Sequence, residues 1–470
     1  MPGRPLKLTR PALVTTAELE LIEATALRLL EEVGLEVGEP ALAERARAAG
    51  FVETSGRFRL APATVRAFLD ETRGAVRRPR RQAVRPDAEF RVYASNYPLH
   101  THDHETGRIV PFTTERLVAA TRLVGALAGR GVAPLVPGFP ADVPASLQAL
   151  RQFRIGVENL PGRWGFDAKA AESLVYAMEM AEVMGRPVRH LPVYVFTPLT
   201  LSGESLRAVL QFAPRLEHIS VGSMPAAGST APVRPAEAFA LATAEIVGSA
   251  LLLRECLQLP VSWSVSVFPC DLRAMGMSFG SPESLLYHLA SAEVDAYLHG
   301  EAWWPAVGNM HTLAKAPDAQ AAAEKSSLLT LGALWGARDF SGAGALSLDE
   351  VFSEVQLLLD LEMVDHVARL ARGLDMQADP EACLADVKEA LGSSFAGLER
   401  TQEIYRDLYW HPRLFARRFL GSWQAAGSPG VNREAAAMAR QLAAGYEYRP
   451  PEAVAAEVAR IYQTAERELA

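Results

Sequence analysis

One feature limits what this chain can fold into. From about residue 90 to 341, short apolar runs of strand length alternate with longer stretches of helical spacing. The predicted strands are 90–95, 133–137, 163–166, 193–197, 219–223, 261–267, 294–298 and 338–341. The predicted helices between them include 114–128, 170–184, 204–212, 235–257 and 282–292. Eight strands alternating with helices over about 250 residues is the arithmetic of a (β/α)8 TIM barrel, so the predicted fold class is α/β.

Both flanks are helical. Thr15 and Thr16 precede Glu18 and an amphipathic run that Gly34 stops, a second helix follows Pro40, Ser55 and Gly56 mark a hairpin, and a third helix spans 61–69. A Pro/Arg-rich linker at 77–86 separates this region from the alternating part. Beyond 348 the predicted helices are 351–372, 380–391, 398–408, 432–442 and 451–469. The expected division is therefore 1–85, 86–347 and 348–470. A trailing helical region of this length packs on the barrel or builds an oligomer interface, and a homo-oligomer is expected.

Composition excludes several classes of function. The net charge is −8, with 47 Lys and Arg against 55 Asp and Glu, and the short basic patch from Arg77 to Arg81 reads as a solvated loop. Nucleic acid is not an expected partner. Cys256, Cys270 and Cys383 are odd in number and far apart, which offers neither a disulfide framework nor a zinc knuckle. With no apolar leader and no run of about 18 apolar residues, a cytoplasmic protein without a membrane span is expected.

A polar loop at the carboxyl end of a buried strand is where α/β folds place ligands. The stretch after 294–298 carries Glu301 beside Trp303 and Trp304. Tyr97, Phe139, Phe166, Phe196 and Phe268 also fall at or just past predicted strand ends, which in a barrel converge on one mouth. Ring faces around a cavity favour a quaternary ammonium by about 0.5–2 kcal/mol per well-placed ring. Two other patterns carry less. Gly276, Ser278 and Gly280 match G-x-S-x-G, but the stretch 269–275 lies between the preceding strand and this motif, where a nucleophile elbow follows its strand immediately. His100, His102 and His104 alternate as metal ligands on a strand could, yet the segment ends in a surface hairpin turn.

Several stretches resemble the trimethylamine methyltransferase family: 102–107 (His-Asp-His-Glu-Thr-Gly), 224–233, 271–283, 316–325, and the flanking 29–37 and 410–419. They run in order over nearly the whole chain. The resemblance implies a barrel that moves a methyl group from a methylated amine to the Co(I) of a corrinoid carried by a separate protein. The sequence contains no pyrrolysine, which places it by resemblance with relatives acting on quaternary amines such as glycine betaine. The corrinoid carriers of this system resemble a flavodoxin-like fold with an Asp-x-His-x-x-Gly signature that is absent here. This chain alone is thus expected to bind no cofactor and no metal, with methylcobamide or cobalamin supplied by a corrinoid-binding partner.

A quaternary amine leaves as a neutral tertiary amine and needs no general acid, so the enzyme's work is to desolvate and orient the cation. The expected cage walls are Trp303, Trp304, Phe268 and Tyr97, with Glu301 as countercharge. Asn96 and His311 would bind the polar end of the substrate, and Arg273 or Lys315 would pair a carboxylate if one is present. Asp318, Gln320 and Glu324 match the family's motif and could equally brace the helix after Pro317. Rival readings are a binding homologue without turnover and a serine hydrolase using Ser278.

Overall fold

The computed structural model describes residues 12–75, 89–162, 171–300, 308–374 and 376–469. Helix α1 (Thr16–Glu32) opens with a full capping box between Thr15 and Glu18. It leads to β1 (Leu35–Val37), α2 (Pro40–Ala48), the hairpin β2 (Val52–Thr54) and β3 (Arg57–Arg59), and α3 (Pro62–Ala75). The hairpin turns on Ser55 and Gly56, both at positive φ, as a two-residue turn requires.

The central region begins with β4 (Arg91–Ala94), the hairpin β5 (His100–Asp103) and β6 (Arg108–Pro111), and helices α4 (Thr114–Ala126), α5 (Ala145–Asn159) and α6 (Ala171–Val183). Then follow β7 (His190–Val195), β8 (Thr200–Leu201), α7 (Glu204–Phe212), β9 (His218–Ser223), β10 (Ala226–Ala227) and α8 (Pro235–Leu257). The hairpin after β11 (Val261–Trp263) is β12 (Phe268–Asp271) with β13 (Gly276–Met277), and α9 (Pro282–His299) and α10 (Ala319–Leu334) come next. Strands β14 (Asp339–Ala343), β15 (Ala345–Leu346) and β16 (Val351–Phe352) end this part. The remaining helices are α11 (Glu354–Arg372), α12 (Pro380–Ala390), α13 (Glu399–Leu408), α14 (Leu420–Ala425), α15 (Val431–Gly445) and α16 (Glu452–Leu469).

Two parallel ladders organise the centre. In one, β7, β9 and β11 lie side by side in chain order. In the other, β14 pairs with β4, Asn309 bridges Ser341, and Val92 bridges Val132. The last long parallel strand therefore lies beside the first.

Three predicted strands need comment. Residues 294–298 are helical and belong to α9, which corrects the expected strand. Ser281 caps α9, Pro282 occupies its first turn, and Leu285, Leu289, Val294 and Leu298 are buried at intervals of four to five residues, a helical period that an alternating triplet at its end could not reveal. Gly300, at φ 66°, stops it. Residues 133–137 form no strand beyond the bridge at Val132, because Pro134 and Pro137 have no N–H for a ladder. The strand expected at 163–166 lies outside the described residues.

Helix α8 is buried over most of its length. It is long and apolar enough to cross a membrane, but 89% of that apolar window is buried within the chain. Gly248 lets α1 come close to it: a Cβ there would sit 2.5 Å from the Leu30 side chain. Helices α1 and α3 share one hydrophobic core with α8, β7 and β9. A second core joins β4, β14, α4, α11 and α15.

Candidate active site

The densest chemistry among the described residues lies just past Asn309, at the carboxyl side of its bridge to Ser341. It is built as a chain of hydrogen bonds. His288, on α9, donates from Nδ1 to the Ser284 carbonyl at 2.6 Å, the only role a carbonyl partner allows. Its Nε2 is therefore an acceptor and takes the Asn309 amide N–H at 3.0 Å. That turns the Asn309 Oδ1 toward His311, which donates to it from its backbone N at 2.7 Å and from Nδ1 at 2.6 Å. With Nδ1 protonated, the Nε2 of neutral His311 carries a lone pair, and it has no hydrogen-bond partner among the described residues.

The surroundings keep this imidazole neutral. Burial, then the positive charge of Lys325, then His288 push the His311 pKa down to about 3. Burial likewise lowers His288. Aromatic rings close one side: Phe279 stands edge-on to His311 at 5.9 Å, and Phe268 lies 5.3 Å from Phe279 and edge-on to His288 at 5.9 Å. On another side the His311 ring rests on Gly342, where φ is 90° and an added Cβ would come within 3.0 Å of the ring. Glycine is required there on both counts.

A folded pKa below the unfolded value of about 6.5 makes stability greatest above that pH and drains it as pH falls toward the folded value. From His311 alone, about 2 kcal/mol should be lost on going from pH 7 to pH 5. Denaturation at the two pH values should show a smaller loss for His311→Asn than for the native protein. Equal losses would mean that the imidazole is not held neutral.

Beneath the loop after β14 lies a fully buried ion pair. Lys325 Nζ donates to Asp360 Oδ2 at 2.8 Å and to the Gly342 carbonyl at 2.8 Å. Asp360 also accepts from the Gly344 N–H at 2.7 Å and from the Gln356 amide at 2.7 Å. Burial pulls Lys325 down and Asp360 up, and each opposes the shift of the other by its charge. The pair thus grips the backbone on both sides of Ala343, directly under His311. Glu324 ties the next segment: it accepts from the Thr312 hydroxyl, from Leu313 N at 3.1 Å and from Gln320 at 2.8 Å. Asp318 caps α10 through Ala321 N.

The expected site residues are only partly assembled. Phe268 and His311 are joined through Phe279, His288 and Asn309. Asn96 and Tyr97 follow β4, which is one strand from Asn309 across β14; the Asn96 carbonyl accepts from Gln152, and Tyr97 is exposed. Lys315 donates to the Ser347 hydroxyl at 2.7 Å. Arg273 is solvent-exposed and tied to Asp271 at 2.7 Å in the β12–β13 hairpin. Glu301, Trp303, Trp304 and Phe166 lie outside the described residues. Ser278 sits between that hairpin and the Ser281 cap, its N–H bonded to Pro269, so it follows an antiparallel turn and not the strand-to-helix turn of an elbow. His288, Asn309, Phe279 and the pairing of Lys325 with Asp360 were missed. The available signal was a lone Lys on the apolar face of α10 and a lone Asp within the Leu-rich start of α11.

The chain is 29% identical over 256 residues to the trimethylamine methyltransferase MttB of Methanosarcina barkeri (strain Fusaro / DSM 804), covering 54% of this chain and 50% of that protein. It thus spans about half the length of the trimethylamine methyltransferases it matches. Glycine betaine methyltransferase of Desulfitobacterium hafniense (strain Y51) is 24% identical over 426 residues, covering 87% of this chain and 88% of that one. Proline betaine:corrinoid methyltransferase of Eubacterium limosum is 26% identical over 247 residues, 51% of this chain and 50% of that one. The crystal structure of Methanosarcina barkeri monomethylamine methyltransferase (MtmB) aligns with 97% of this chain and 88% of that one, at 13% identity and a TM-score of 0.45. The family model for trimethylamine methyltransferase (MTTB) matches residues 166–464, well over half of the sequence, and the chain belongs to that family.

Proposed function

We propose that this protein is a corrinoid-dependent methyltransferase that takes a methyl group from a small quaternary amine of the glycine betaine kind. The methyl acceptor is the Co(I) of a corrinoid held by a separate protein, which supplies the nucleophile. The observation that carries this reading is a half-buried imidazole, held as the Nδ1–H tautomer by Asn309 and so left with an open Nε2 lone pair, beside aromatic rings. Such a group cannot protonate a leaving amine, and a quaternary amine requires no proton: the C–N electron pair departs with nitrogen as a neutral tertiary amine. The catalytic task that remains is positioning.

In this reading Phe268, Tyr97, Trp303 and Trp304 are cage walls and Glu301 is the countercharge. His311 turns its Nε2 lone pair to the polarised C–H groups of the ammonium. It would repel a carboxylate, so a betaine's carboxylate falls to Asn96 and Lys315, with Arg273 further out on its hairpin. The two parallel ladders are arcs of one (β/α)8 barrel, flanked by the helical regions 1–85 and 348–470 around 86–347. The setting is cytoplasmic methylated-amine metabolism.

Loss of cob(I)alamin absorbance with glycine betaine, proline betaine and related quaternary amines tests the activity. Turnover with at least one is expected. Tight betaine binding without any methylation of cobalamin would overturn the enzyme reading. Trp304→Ala is expected to raise KM for the amine roughly 10-fold, from the loss of one cation–π contact, while the circular dichroism spectrum stays unchanged. An unaltered KM would remove Trp304 from the cage.

A further inference from the structure

The C-terminal helices α12, α13 and α14 bury almost nothing against the rest of the chain: Ala390 is the one buried residue in the three. Short helices in water depend on a covered apolar face, and these show theirs to solvent. Thirteen of the twenty-seven exposed large apolar side chains among the described residues fall between 370 and 420. Leu391 and Met376 are 75% exposed, Tyr409 67% and Phe419 90%. The elements are held together as one surface. Arg400 on α13 pairs with Asp386 on α12, Arg369 on α11 donates to the Leu408 carbonyl, and Trp410 stacks edge-on with His366 of α11 and with Phe415. Glu362 of α11 fixes the following turn by accepting three backbone N–H groups, those of Arg413, Leu414 and Phe415.

The two ends of this surface carry opposite charge, with α13 of mixed sign between them. Residues 379–389 carry Asp379, Glu381, Asp386 and Glu389 against Lys388, while 411–420 carry Arg413, Arg417 and Arg418 and no acid. Glu381, Glu389, Arg413 and Arg418 have no ion pair among the described residues. An acidic edge and a basic edge flanking one apolar field are complementary to the same surface rotated by a two-fold axis.

We propose that residues 376–420, with Leu370 and Leu374, form the docking face for a second copy of this chain, with α12 of each copy against the 413–418 turn of the other. A methyl-accepting carrier must arrive and leave, and transient interfaces are small and polar. An apolar field of this extent would be uncovered at every release, whereas a standing dimer covers it permanently.

Sedimentation velocity of the full chain at 1–50 µM, a range of roughly 50-fold, tests this through mass action. A two-chain mass is expected for the native protein. Leu391→Asp with Phe419→Asp should raise the dissociation constant at least about 100-fold and give one-chain particles, with an unchanged circular dichroism spectrum. Arg413→Glu with Arg418→Glu should also dissociate, and mixing it with Glu381→Arg plus Glu389→Arg should restore a two-chain mass. A one-chain native protein at 50 µM overturns the proposal, as does a Leu391→Asp, Phe419→Asp variant of unchanged mass. Failure of the mixed charge variants to pair overturns the two-fold arrangement.

Discussion

Lys325→Met is expected to destabilise the fold by about 3–5 kcal/mol, because it leaves the Asp360 carboxylate buried without its cation. The Gly342 carbonyl would lose its donor at the same time. Restoring charge balance should recover most of the loss. In Lys325→Met with Asp360→Asn the amide is neutral and its oxygen can still accept from Gly344 N, so the double variant should lie within about 1–2 kcal/mol of the native protein. Urea denaturation of the three proteins checks this. Were the single variant as stable as the native chain, the pair would not be carrying the loop after β14.

His311→Asn is the second large effect, and it falls on turnover. Asparagine can still reach toward Asn309 but has nothing where Nε2 stood. A drop in kcat/KM of about 100-fold is expected, the size that accompanies a mispositioned substrate, with the urea midpoint at pH 7 nearly unchanged. A kcat/KM within a factor of about two of native would show that the lone pair does not face the substrate.

Much of the fold could be read before any coordinates, because parallel strands with crossover helices leave a regular apolar rhythm. Pro235–Leu257 and Glu204–Phe212 are helices over the residues expected, and the runs beginning the two ladders are strands. The errors have physical causes. Val294, Ala296 and Leu298 alternate, but they also close a helical series begun at Leu285, and the Ser281 cap with Gly300 beyond decides between the two. Two prolines undid 133–137. The site was less legible, because His288 and Asn309 are 21 residues apart and meet only when α9 folds back on the second ladder. His311 was expected at the polar end of the substrate from its place after Trp303 and Trp304 in sequence, but its tautomer depends on partners that sequence order cannot supply. Lys325 and Asp360, 35 residues apart, pair for the same reason.

The relay from Ser284 through His288 and Asn309 to His311 has a sense of travel, since each member gives on one side and receives on the other. An aspartate at 309 would have no donor for His288, and a glutamine at 288 would have to present its oxygen forward and its amide backward to keep the direction. Drift at these places is therefore not free one residue at a time: lineages that alter one member should carry a matching alteration in another, and the trio should be inherited as a unit.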